Sequence, residues 1–241
     1  MNDRRFEAWE THAGWWQDGF TDGADPEYEE QILPIVGEHL TGCRRVLDVG
    51  CGEGQLARRA GAGGSRVTGL DPIAAQVELA AARGGGPDYV RGEAVALPFA
   101  TGSFDAVVAC LVFEHLEEPD AAIAEVARVL EPQGRFLFLL NHPLLQAPGS
   151  GWVDDHILEE QYWRVGAYLS ESVTDEEMEP GVVLPFVHRP LSRYVNAMAE
   201  HGLLVDRMLE PAPPAGFLER APGYADAAEF PRLLVLRAVR V

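Results

Sequence analysis

Short apolar runs alternate with stretches of helical spacing through the middle of the chain. Arg45–Val49, Arg66–Leu70, Phe104–Val112 and Arg135–Leu140 read as strands, and Gln55–Ala62, Ile73–Ala82 and Ala121–Leu130 as the helices between them. Apolar strands alternating with helices predict a mostly parallel sheet buried on both faces. Ahead of it, an aromatic, acidic stretch (Trp9, Trp15, Trp16, Phe20, Tyr28) leads into a helix predicted near Pro26–Leu40 and kinked at Pro34. After Leu140 the periodicity stops. Asn141–Arg189 carries Trp152, Tyr162, Trp163 and Tyr168 with no clean period, and connections that long are usually lids or binding loops. Within it Glu171–Glu179, with five carboxylates in nine residues, reads as a solvated turn. A helix Leu191–His201, a strand Leu203–Met208, a loop spaced by Pro211, Pro213, Pro214 and Pro222, and a strand Leu233–Val239 follow. With no helix predicted between them, the last two strands are expected to pair antiparallel at one sheet end.

A length of 241 residues favours one domain, and 47% hydrophobic with 24% charged residues is an ordinary globular composition. Charge narrows the chemistry further. All 19 basic side chains are arginine, so no Schiff base and no Walker-type lysine are possible. A net charge of -19 argues against a nucleic-acid partner. Cys43, Cys51 and Cys110 are odd in number and scattered, which predicts neither a disulfide framework nor a metal site. No apolar run reaches signal-peptide or membrane-spanning form, so a cytoplasmic protein without a membrane partner is expected.

The most informative segment is Val46–Gly54, where a strand ends in an acid and three glycines precede a helix. Such glycines let a backbone approach a ligand closely. Gly52–Ala57 also satisfies the G-x-G-x-x-A dinucleotide pattern, with Asp71 at about the ~20-residue spacing expected of a ribose acid. A nicotinamide oxidoreductase is therefore one alternative. Charge separates the two readings. The turn supplies Asp48 and Glu53 and no arginine, which suits a ligand bearing an ammonium and a sulfonium better than a pyrophosphate.

Five motifs in order make the chain resemble a class I S-adenosylmethionine-dependent methyltransferase of the small-molecule type. They are Val46–Gly54, Val67–Pro72, Gly92–Phe99, Ser103–Val108 and Arg128–Phe136. The resemblance implies a doubly wound α/β fold, with a mostly parallel seven-stranded sheet whose last strand is antiparallel. It also implies an aromatic-rich lid inserted after the fifth strand. Residues 1–43 would be a helical cap, 44–141 the cofactor-binding half, 142–189 the substrate lid and 190–241 the remainder of the same domain. Asp48, Gly50, Gly52 and Gly54 would line the methionine end, with Cys51 in the same turn. Asp71 would hold the ribose, with Pro72 and Gln76 beside the adenosine. Glu93 would accept from the adenine amine next to the Ala94 backbone. Cys110 and Leu111 would present backbone to the methionine part, and Trp16 would close over the cofactor.

The expected activity is methyl transfer to an oxygen or nitrogen of a small-molecule acceptor. A module that binds S-adenosylmethionine or S-adenosylhomocysteine without turnover is a further alternative. The candidate bases, in order, are His142 after the fifth strand, His188 at the end of the insertion and His115 after the fourth strand. An amine acceptor needs no base, whereas a hydroxyl benefits from one. Trp15, Trp152, Tyr162, Trp163 and Arg189 are the candidate acceptor-binding residues. A monomer or homodimer is expected.

Overall fold

The computed structural model describes residues 4–157, 159–221 and 228–241; Pro222 of the proline-spaced loop lies outside them. Eleven strands occur among these residues. They are β1 (Arg45–Val49), β2 (Arg66–Asp71), β3 (Asp88–Arg91), β4 (Phe104–Cys110), β5 (Leu130–Asn141), β6 (Gly151–Asp155), β7 (Glu160–Arg164), β8 (Ser172–Glu179), β9 (Val182–His188), β10 (Leu203–Leu209) and β11 (Leu233–Arg240). Seven of them form one sheet in the order β10-β11-β5-β4-β1-β2-β3. The β1, β2, β3, β4 and β5 pairings are parallel. β11 lies antiparallel between β5 and β10. This is the predicted doubly wound α/β sheet.

Strand alternation explains how both faces are covered. Leu47, Val49, Val107, Phe136 and Phe138 pack on one side with Ile123 and Val126, which belong to a helix at Pro119–Val129, and with Tyr194 and Met198 from a helix at Leu191–Glu200. Val46, Val67, Val108, Leu137 and Leu139 face the opposite way onto Ile32, Val36 and Leu56. Each fully buried side chain of this kind contributes roughly 1.5–3 kcal/mol relative to exposure.

Several expectations change. The Pro26–Leu40 helix is a π-helical turn, Tyr28–Ile32, followed by an α-helix, Leu33–His39. Pro34 lies just after the π turn, and the helical backbone continues through Ile32 and Leu33, with the Leu33 N–H donating to the Tyr28 carbonyl, so the wide turn precedes the proline in place of a break at it. β3 went unpredicted because it is a four-residue edge strand with no buried residue. A short helix, Ala215–Arg220, does separate β10 from β11, contrary to expectation. It is capped from a distance: the Gly216 N–H donates to the Glu30 carboxylate at 3.1 Å.

The insertion is not an irregular lid but two antiparallel hairpins, β6–β7 and β8–β9. The acidic run read as a turn is largely strand β8. Its partner β9 is the apolar half, with Val182, Leu184 and Phe186 buried against Trp9 and Trp15. β9 therefore fixes β8 in place while Asp175, Glu177 and Glu179 stay in water and Glu176 is half-buried.

Two N-terminal helices, Arg4–Thr11 and Ala13–Phe20, lie close to the helix Ala74–Arg83 and to β9. The Glu10 carboxylate accepts from the first N–H groups of the Ala74–Arg83 helix, Ala74 at 2.9 Å and Ala75 at 3.1 Å. An acid at a helix N-terminus is the favoured polarity. Among the described residues no helix is long and apolar enough to cross a membrane.

Candidate active site

Ligands of open α/β sheets bind at the carboxyl ends of the strands, and a deep cleft lies there. Its cavity of about 150 Å³ sits between the ends of β1, β2 and β4 and the N-terminal helices. The glycine turn forms the floor. Gly50, Gly52 and Gly54 all have positive φ, at +71°, +53° and +85°. The Gly50 and Cys51 N–H groups donate to the Leu70 carbonyl at 2.7 and 3.0 Å, fastening the turn to β2. A Cβ on Gly50 would come within 2.3 Å of a Val112 methyl, and one on Gly54 within 2.3 Å of the Tyr89 hydroxyl. Both positions require glycine by dihedral and by space. Leu111 also has positive φ, +56°, an uncommon backbone for a branched side chain and one found at functional sites.

Of the three acids predicted for the cofactor, Asp48 and Asp71 are buried and Glu93 is exposed. Asp71 accepts from Gly52 N–H and from Ile73 N–H, each at 2.9 Å. Burial nevertheless pushes its carboxyl up to about 6. Asp48 is 1% exposed, and its Oδ2 has no hydrogen-bond partner. Burial, then the neighbouring Asp71 charge, raises it to about 7. Buried polar atoms are almost always paired, so an orphaned carboxylate oxygen beside a cavity marks a place for a donor or a cation.

Trp16, Gly50, Cys51, Gly52, Asp71, Pro72, Gln76, Glu93, Ala94, Cys110 and Leu111 all border this cavity, whereas Asp48 and Gly54 are not among its lining residues. Gln76 accepts from Gln17 at 3.0 Å, which ties the cap to the adenosine side. Trp16 stacks on Phe20 at 4.4 Å and lies over the turn, with Nε1 3.7 Å from where a Gly52 Cβ would be.

Glu53 requires a correction. The sequence suggests an acid-lined turn without arginine, yet the buried Glu53 carboxylate pairs with Arg58 at 2.6 Å and with Arg83. Arg83 reaches on to Asp22 at 2.9 Å, just after the second N-terminal helix. Glu53 is thus neutralised in an ion cluster. Asp71, Glu93, Glu117 and Glu118 are the other acids that border the cavity.

The three histidines separate clearly. His142 does not reach the cavity: its Nε2 pairs with Glu210 at 2.8 Å, and its Nδ1 accepts from Leu144 N–H, capping the short helix Pro143–Gln146. His188 also stays away, with Nε2 2.9 Å from the Tyr168 carbonyl. His115, ranked last from sequence, borders the cavity. It lies in a 3-10 turn, Phe113–His115, with Nδ1 3.0 Å from the Pro185 carbonyl. Burial lowers its imidazole to about 4, so it is neutral at pH 7.

The acceptor-binding candidates likewise do not converge here. Trp152 and Trp163 pack on each other and on Phe230, with centroids 5.5 to 6.2 Å apart, and Tyr162 is 48% exposed. Their hairpin pairs only with itself, so its aromatics form a small separate core. Trp15 packs against β9, and Arg189 is buried against backbone carbonyls. In their place the cavity is bordered by Phe6, Trp9, Leu116, Glu117 and Glu118. Trp9 was visible in the aromatic N-terminal stretch, but only folding brings it 4.9 Å from the His115 ring.

The buried acids set a pH dependence. Asp48, Asp71 and Glu114 have folded-state values of about 7, 6 and 7, above their unfolded ones. Between roughly pH 4.5 and 7 the native state therefore holds more protons than the unfolded chain, so stability falls as pH rises through this window. The ligand-free protein should melt at a higher temperature at pH 5.5 than at pH 8. Equal or reversed values by calorimetry would contradict these assignments.

Residues 47–138 match the methyltransferase domain family. The match covers the part of the sheet that carries the glycine turn, so this region resembles a methyltransferase domain. An O-methyltransferase of Aspergillus nomiae is 33% identical over 133 residues, covering 52% of this chain and 59% of that protein. A demethylmenaquinone methyltransferase of Renibacterium salmoninarum is 36% identical over 101 residues, covering 42% and 43%. The chain thus spans roughly half the length of these relatives. Over its full architecture it resembles the crystal structure of an S-adenosylmethionine-dependent methyltransferase from Mesorhizobium loti, with a TM-score of 0.75 and 27% identity, covering 86% of this chain and 96% of that one.

Proposed function

We propose that this protein transfers a methyl group from S-adenosylmethionine to a small-molecule acceptor. The observation that carries the proposal is the orphaned, buried carboxylate oxygen of Asp48 beside the glycine turn. A cationic amino-acid moiety suits that position, with the Asp48 carboxylate ionising to meet it. In this reading Asp71 holds the ribose through lone pairs left over from Gly52 and Ile73. Glu93 and Ala94 border the adenine, and Trp16 closes over the methionine side. When bound, the cofactor supplies an electrophilic methyl on its sulfonium. The chain's own contribution is to align the acceptor and to exclude water with Phe6, Trp9 and Trp16. Oxygen is the favoured acceptor atom, because several relatives are named as O-methyltransferases. The acidic composition favours a protein acting without nucleic acid.

Calorimetry with S-adenosylhomocysteine tests the reading. Binding should release protons, since Asp48 ionises on contact with the ligand ammonium. Affinity should therefore tighten as pH rises from 5.5 to 7.5, by up to about tenfold per unit. No heat at high micromolar ligand would end the proposal. A nicotinamide cofactor predicts instead that NADH fluorescence changes on adding protein; we expect no change.

A further inference from the structure

We propose that His115 takes the proton from the acceptor hydroxyl, and that the β9 backbone at Pro185 together with Arg189 holds it in the tautomer able to do so. This rests on the methyl-transfer reading. A carbonyl can only accept, so the 3.0 Å contact to Pro185 makes Nδ1 the protonated nitrogen. Nε2 is then left as a bare lone pair on a ring that borders the cavity. The ring is wedged edge-on between Trp9 at 4.9 Å and Phe186 at 4.5 Å, which fixes its orientation.

Arg189 acts through the turn that carries His115. It is 3% exposed and follows β9 directly. Its guanidinium donates to three carbonyls around His115: Phe113 at 3.3 Å, Leu116 at 2.7 Å and Glu117 at 3.0 Å. The Phe113 carbonyl also accepts from the Leu116 N–H at 3.4 Å, and the planar fork of arginine can serve several carbonyls at once where an ammonium cannot. From outside, Glu171 anchors Arg189 at 3.4 Å and Arg193 at 3.2 Å. Arg189 is therefore a positioning residue and not an acceptor ligand. The β8–β9 hairpin serves as the bracket for the base.

The acceptor class follows from the same geometry. As the acceptor oxygen bonds the methyl carbon, the carbon–sulfur pair returns to sulfur. The hydroxyl proton passes to His115 Nε2, and afterwards to solvent. Burial holds His115 weakly basic, at about 4. That suits an acidic hydroxyl, a phenol or enol, better than an aliphatic alcohol, and the aromatic walls Phe6 and Trp9 suit a flat ring.

The test is nitrogen NMR on histidine-labelled protein saturated with S-adenosylhomocysteine. We expect His115 to show one tautomer at pH 7, protonated at Nδ1, and its Nε2 resonance to shift on adding millimolar phenol. A protonated Nε2, or no shift with phenol, overturns the proposal. Arg189→Lys should lose the single-tautomer signature while keeping S-adenosylhomocysteine affinity within about twofold. If that variant does not fold, Glu171→Gln frees the guanidinium from the solvent side and should show the same loss. An unchanged tautomer in a folded variant refutes the role of Arg189. Failure of S-adenosylhomocysteine to bind the unmodified protein overturns the methyl-transfer reading instead, so the two failures are distinguishable.

Discussion

Asp71→Ala is expected to weaken S-adenosylhomocysteine binding by about 100- to 10,000-fold, measured by calorimetry at pH 7.5. The estimate follows from the loss of two charge-assisted hydrogen bonds to ribose hydroxyls, roughly 1.5–3 kcal/mol each. A second contribution comes from the turn, because Asp71 also accepts from the Gly52 N–H and so helps to shape the glycine floor. Stability should respond differently. Removing the carboxylate relieves the repulsion that raises Asp48, which offsets the two lost backbone hydrogen bonds. A variant that melts near the parent temperature but binds at least 100-fold more weakly is the signature of a ligand contact. Unchanged affinity would show that the ribose lies elsewhere.

Glu53→Ala should lower the melting temperature by about 6–12 °C. Removing one partner of a buried ion pair typically costs about 3–5 kcal/mol, and a chain of this length loses about 2–4 °C per kcal/mol. We take the low end, about 3 kcal/mol, because Arg58 and Arg83 keep 22% and 24% of their side chains exposed and can rehydrate. The loss should be accompanied by faster proteolysis near Asp22, which Arg83 also holds. A change under about 2 °C would mean that the cluster contributes no more than an ordinary surface pair.

The parts of this protein legible in its sequence are those encoded by local pattern. β1, β2, β4 and the helices between them follow from apolar runs and spacing. The glycine turn follows from a chain geometry that few other residues can adopt. Asp48 and Asp71 were identifiable because each closes a strand at the edge where ligands bind. What stayed hidden depends on partners far apart in the chain. Glu53 looked like a cofactor acid because Arg83, thirty residues on, was not visibly its counter-ion. His142 has the right position after β5, yet Glu210 and the Leu144 N–H consume both ring nitrogens. His115 gained its place only because β9 folds back to it. The aromatic residues of the insertion drew attention by composition, but Trp152 and Trp163 form their own small core. The ring that faces the cleft, Trp9, comes from the opposite end of the chain.

The position of β11 bears on how the molecule is made. Every strand around the cofactor turn is complete by Cys110, but the sheet is not. β11 pairs with β5 along seven residues, from Asn141 to Arg135, and with β10 on its other side. During synthesis β5 therefore waits with an open hydrogen-bonding edge until residues 233–240 have been added. An unpaired edge is a template for association with other chains, and contacts so distant in sequence form slowly. The nascent protein should be most dependent on chaperones after β5 has emerged and before β11 arrives. Early binding of cofactor to the finished turn would not shorten that interval.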